Sequence, residues 1–167
     1  VADLTPQERL QPSLLDRLTD ENPRSGVESR DQRMISWQRL RDAVRRDLAW
    51  LLNCVHLEAT QDLSEWPLVA RSTLNYGLPE TTGIPVANIN SEILQKRVRQ
   101  AILDFEPRLL RNKLRVTVEK QAAVMNRNSL VFLIEGEMWA QPVPQSIYVR
   151  TEFDLETGVV KVHEGTR

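Results

Sequence analysis

Glu106-Pro107-Arg108 sets a carboxylate and a guanidinium two residues apart across a proline. Proline disfavours helical geometry at the preceding residue and has no amide hydrogen, so a helix arriving from the N-terminal side stops here. The carboxylate then meets the negative end of the helix dipole and needs a cation or a donor nearby. Two readings follow from the residues alone. One is a rigid two-charge latch for a partner protein. The other is a helix stop with an exposed ion pair worth about 0–1 kcal/mol. On either reading, replacing one charge by alanine is a surface change, expected to alter stability by about 0.5 kcal/mol or less.

The same residues argue against catalysis. A glycoside hydrolase needs a carboxylic acid in an apolar pocket and a second carboxylate within roughly 5–10 Å. Arg108 beside Glu106, with Arg111 close in sequence, lowers a carboxyl pKa where a general acid needs it raised, and no second carboxylate stands out. Cys54 falls on or beside the apolar end of a helix and reads as a buried structural thiol. His56 at that helix end reads as a favourable charge for the dipole. One cysteine excludes an intramolecular disulfide and any cysteine-based zinc site, and His56 and His163 are the only imidazoles. No phosphate-binding glycine motif is present. The expectation is no catalytic residue, no metal and no cofactor.

Arg71-Ser-Thr-Leu-Asn-Tyr-Gly-Leu-Pro79 gathers Asn75, Tyr76, Gly77 and Pro79. Gly77 tolerates positive φ, Pro79 stiffens the exit, and Tyr76 can bury its ring while its hydroxyl finds a partner. A structural loop and a binding loop both fit.

Two long helices and a sheet must position these residues. A short helix is expected over 12–18, starting at Pro12, then a turn-rich loop over 20–26. From about Asp31, the apolar residues Ile35 or Trp37, Leu40, Val44, Leu48, Leu51, Leu52 and Val55 recur at helical steps, with Arg39, Asp42, Arg45 and Arg46 on the far face. Residues 56–90 are irregular, broken at Trp66-Pro67, Tyr76–Pro79 and Thr82–Pro85. A second helix runs from a cap at Asn90 or Ser91 to about Phe105. The period then shortens to two: strands are expected at Leu114–Lys120, Leu130–Ala140, Ser146–Leu155 and Val159–Val162. Helices first and a meander after them make an α+β fold, with the N-terminal helices on one face of a C-terminal antiparallel sheet. Residues 1–30 form an N-terminal segment and 31–167 a single α+β domain.

The net charge of −1 is unevenly spread. Residues 1–32 carry −3, residues 96–120 carry +5, and residues 135–167 carry −3. A basic middle suits nucleic acid, but the near-neutral whole favours a solvated or protein-facing surface. No nucleic-acid partner is expected. The longest apolar run, Leu130–Ile134, is strand-sized and far short of the roughly 20 residues a membrane span needs. The first six residues resemble no secretory signal, so a cytoplasmic, reduced setting is expected.

Four phrases then point to a family. Pro12-Ser-Leu-Leu-Asp-Arg-Leu-Thr-Asp20, Arg45-Arg-Asp-Leu-Ala-Trp-Leu-Leu-Asn53, Ser72-Thr-Leu-Asn-Tyr-Gly-Leu-Pro79 and Phe105-Glu-Pro-Arg-Leu109 occur in order. Together they closely resemble the TssE family, the baseplate wedge proteins of type VI secretion systems, related to the lysozyme-like wedge protein of contractile phage tails. The resemblance implies a non-enzymatic assembly component, shaped like the handshake domain of a sheath subunit, between the baseplate core and the first sheath ring. It implies TssF and TssG as wedge partners, TssB–TssC as the sheath, and TssK as a further candidate. The complex would be cytoplasmic, docked at the inner membrane without insertion. Glu106, Pro107 and Arg108 match the family's contact motif position by position. Rival classes are a glycan-cleaving enzyme and a nucleic-acid-binding module. The resemblance also suggests that sheath strands add to an open sheet edge, Leu114–Lys120 or Val159–Val162, between which the sequence does not choose.

Overall fold

A computed structural model describes residues 13–19, 23–24, 36–80, 90–119, 129–139 and 144–165. The helices are α1 (Leu14–Leu18), α2 (Trp37–Asn53), α3 (Pro67–Ala70) and α4 (Ser91–Phe105), and the strands are β1 (Arg115–Glu119), β2 (Ser129–Met138), β3 (Gln145–Asp154) and β4 (Val160–Glu164). Short 3-10 turns at Leu57–Ala59 and Thr73–Asn75 lie between α2 and α4.

The two long helices start where a side chain can satisfy their first amides. The Ser36 hydroxyl accepts from Arg39 N at 3.2 Å, and the Asn90 carboxamide accepts from Glu92 N and Ile93 N at 3.1 Å each. Leu40, Val44, Leu48, Leu51 and Leu52 of α2, with Leu94, Val98 and Ile102 of α4, bury their stripes in one core. The strands form one antiparallel sheet in the order β1-β2-β3-β4. Its register places Val116 opposite Ile134, Ile134 opposite Val149, and Phe153 opposite Val160, so alternate residues share one buried face. Phe132 and Phe153 meet edge to face there, ring centroids 5.0 Å apart. α2 lies along β4 and α4 along β1. The expected α+β arrangement is the observed one, with strand ends shifted by one or two residues. No helix among the described residues is long and apolar enough to cross a membrane. The Thr82–Pro85 breaker, the helix start at Asp31–Ile35, Pro12, Lys120 and Ala140 lie outside the described residues.

The end of α2 corrects two expectations. Cys54 caps the helix in an extended conformation, and its thiol is exposed, not buried. His56 is 7% exposed, and burial holds its imidazole below the usual range, so it is no cation for the dipole. The helix stops at Asn53, whose carboxamide turns to β4: it donates to Val160 O at 2.9 Å and accepts from Val160 N at 2.9 Å. Beyond it the extended chain leaves Cys54 and Val55 outside and returns His56 to the interior.

Candidate partner-binding site

Helix α4 ends as Pro107 requires, with Glu106 as its C-cap and its amide still donating to Ile102 O. The Glu106 side chain is 4% exposed, so the expected exposed ion pair is a buried one. A carboxylate in that position demands donors, and Arg108 supplies them. Its Nε donates to Glu106 Oε1 at 2.7 Å and its Nη2 to Oε2 at 2.5 Å, a two-pronged fork. The Arg108 amide adds a third bond to Oε1 at 3.2 Å.

The fork does not end there. Arg108 Nη2 also donates to Asp47 Oδ2 on α2 at 2.5 Å. The other oxygen of Asp47 accepts from Arg46 Nε at 2.9 Å. Arg46 Nη1 reaches Asp16 of α1 at 2.6 Å, and its guanidinium lies 5.0 Å from the centroid of the Trp50 ring. Charges therefore alternate from Asp16 through Arg46, Asp47 and Arg108 to Glu106. Burial disfavours the Arg108 cation, yet its bonds to Glu106 and then Asp47 prevail and hold it above its ordinary value. The bond to Asp16 likewise raises Arg46. Burial raises the Asp16 carboxyl, but Arg46 and Ser13 outweigh it and the net direction is down.

The motif is also clamped to the sheet. Trp139 N donates to Arg108 O at 2.7 Å, Leu110 N donates to Glu137 O at 2.9 Å, and Leu109 forms a bridge with Met138. Tyr76 reaches the same place from the 72–79 loop. Its ring meets Phe105 edge to face at 5.2 Å, its hydroxyl donates to Asp47 O at 3.4 Å, and burial pushes that hydroxyl up. Four distant stretches of chain thus meet at one cluster. The exposed apolar side chains Leu14, Leu18, Trp50 and Trp139 belong to the elements that hold it.

Asn75 and Gly77 serve a neighbouring joint instead. Asn75 Oδ1 accepts from Glu58 N and its Nδ2 donates to Ala70 O, each at 2.9 Å. Gly77 has φ +130, and a Cβ there would sit 2.4 Å from Cys54 O. Pro79 is half-buried beside them. Sequence reasoning missed Asp47 and Asp16 and placed Arg46 on the outer face, whereas Arg46 is half-buried. A signal for Asp47 existed: it takes the apolar-stripe position in the series Leu40, Val44, Asp47, Leu51.

Chemically, each carboxylate in the cluster is paired with a guanidinium. Among the described residues no group of His, Cys, Asp and Glu is placed to hold a metal ion. The arrangement fixes four stretches of chain, α1, α2, the 72–79 loop and the end of α4, relative to one another.

The profile of the family described as baseplate wedge protein gp25 matches residues 38–143, more than half of the chain. The chain belongs to the baseplate wedge protein gp25 family. No significant match was found among curated proteins or among solved structures. The family is a structural component of phage-tail-like baseplates. In this wedge protein the matched span holds Arg46, Asp47, Tyr76, Glu106 and Arg108. Asp16, β3 and β4 lie outside it.

Proposed function

We propose that this wedge protein is a non-enzymatic part of a type VI secretion baseplate that joins the wedge core to the contractile sheath and helps start sheath assembly. Its partners are then TssF and TssG, the TssB–TssC sheath and TssK, in a cytoplasmic complex docked at the inner membrane. The alternating-charge cluster from Asp16 to Glu106 is the observation that carries this reading, because the four phrases that resemble TssE converge on it. Glu106, Pro107 and Arg108 act as a latch whose geometry the intramolecular fork sets in advance. Pre-ordering of this kind reduces the entropy lost on docking.

Arg108→Lys separates latch from scaffold. Lysine keeps the charge and loses the planar fork. Most of the stability should survive while sheath formation fails, read as the urea midpoint and as fluorescent sheaths in the same strain. Sheath loss that merely tracks lost stability would sink the latch. Muralytic turnover by the pure protein, abolished in Glu106→Gln, would overturn the non-enzymatic reading.

For strand addition, the capping of the edges favours β4. On β1, Gln95 Nε2 donates to Val116 O at 2.7 Å and Arg99 Nε to Leu114 O at 3.4 Å, so α4 side chains already occupy outward carbonyls. On β4, Asn53 takes the outward groups of Val160, and by strand alternation those of Val162 and Glu164 also face away from β3. Proline at Val162 removes an outward amide without costing a bond to β3. Val162→Pro should block sheath nucleation and spare TssF–TssG binding, measured by co-purification. Normal nucleation by the folded variant refutes addition at β4.

A further inference from the structure

His56 is nine-tenths buried, and neither ring nitrogen has a hydrogen-bond partner among the described residues. A neutral imidazole tolerates such a site better than a cation, which would bury a charge and two unpaired donors. Two charged groups act on the ring: Glu58, from the turn that follows it, and Arg97, from α4. Glu58 favours the cation and Arg97 opposes it, and desolvation outweighs both.

The ring sits at a joint between two chain segments. His56 N donates to Leu78 O at 3.0 Å and Leu78 N donates to Cys54 O at 2.8 Å, a parallel bridge between Val55 and Leu78. Gly77 is pressed against Cys54 O so closely that no side chain fits. The residue before Gly77, Tyr76, packs on Phe105 and donates to Asp47 O. The joint and the charge cluster are thus joined through Tyr76.

We propose that His56 is a proton-operated catch on this joint: neutral, it keeps the Val55–Leu78 bridge closed, and protonated, it leaves the interior, opens the bridge and takes Tyr76 off the cluster. The sign follows from the burial. The folded state favours the neutral ring, so the catch holds in full above the ordinary histidine value near 6.5 and is lost as pH falls through the depressed folded value. Opening should then increase about tenfold per pH unit below roughly 6.5, the slope of one coupled proton.

The test uses the whole chain and its two histidines. His163 is exposed on β4, and His163→Gln assigns the two imidazole signals in an NMR titration. His56 should titrate below the ordinary histidine value. Amide exchange at Leu78 and His56, corrected for intrinsic rates, should speed up about tenfold per unit below pH 6.5, while the core amides of Val44 and Ile102 stay protected. In His56→Phe that pH dependence should vanish. A His56 signal at or above the ordinary value, or Leu78 exchange with no pH dependence in the wild-type protein, overturns the proposal whether or not the variant folds. Parallel loss of protection at Val44 overturns it too, because opening would then be global unfolding.

Discussion

The protein buries polar groups in two adjoining places and treats them in opposite ways. At the end of α4, Glu106 is buried with its countercharge, and its two oxygens receive three donor bonds from Arg108. At the end of α2, His56 is also buried, with no hydrogen-bond partner for its ring among the described residues. The difference is what each group can give up. A carboxylate at neutral pH stays charged in the interior only if a cation accompanies it. An imidazole can discard its proton and enter as a neutral, somewhat unsatisfied ring. The first site is therefore held by fixed charge pairing. The second is held by a balance that a single proton tips.

The largest effect should come from Glu106→Ala. It leaves Arg108 without its principal acceptor, and breaking a buried pair on one side costs about 3–5 kcal/mol. This replaces the expectation of a near-neutral surface change, because the carboxylate is inside. Urea unfolding measures it, and a cost under about 1 kcal/mol would show that the fork contributes little. Asp47→Ala should cost less, about 1.5–3 kcal/mol, the range for one hydrogen bond to a charged group. Arg108 keeps Glu106 and Arg46 keeps Asp16 in that variant. Chemical denaturation together with the pH dependence of Leu78 exchange sharpens the contrast, since the cluster should weaken while the His56 response stays.

Asp16→Asn should cost under about 1 kcal/mol, because a partly exposed pair is weakly stabilising and salt-screened. Its carboxyl lies below the ordinary value in the folded state. That contribution is present above about pH 4 and is lost as pH falls through the lowered folded value, so the acid limb of a stability profile should flatten in the variant. High salt should produce the same flattening. The smallest effect belongs to Tyr76→Phe. It deletes only a 3.4 Å bond to Asp47 O and keeps the ring on Phe105, so the midpoint should move by no more than ~0.5 kcal/mol. A larger loss would mean that the hydroxyl, and not the ring, couples the two sites.

Local chemistry determined much of this protein by itself. Asn90 and Pro107 are enough to bound α4, because a cap satisfies the first amides and a proline cannot continue a helix. The change from helical to alternating periodicity after residue 113 is enough to specify a meander, since successive side chains of a strand point to opposite faces. Gly77 announces its own positive φ. Other features depended on which segments pack together. Glu106 reads as exposed in sequence because nothing local buries it; α2, the Tyr76 loop and the end of β2 do so only once the chain has folded. Asp47 looks like an ordinary helix charge until Arg108, sixty-one residues away, reaches it. Cys54 and His56 exchange their expected places because the helix ends at Asn53, where its carboxamide bonds to β4, before the last member of its apolar stripe, Val55. Spacing in sequence fixes the direction of neighbouring side chains, whereas burial and charge pairing are set by distant segments that only the fold brings into contact.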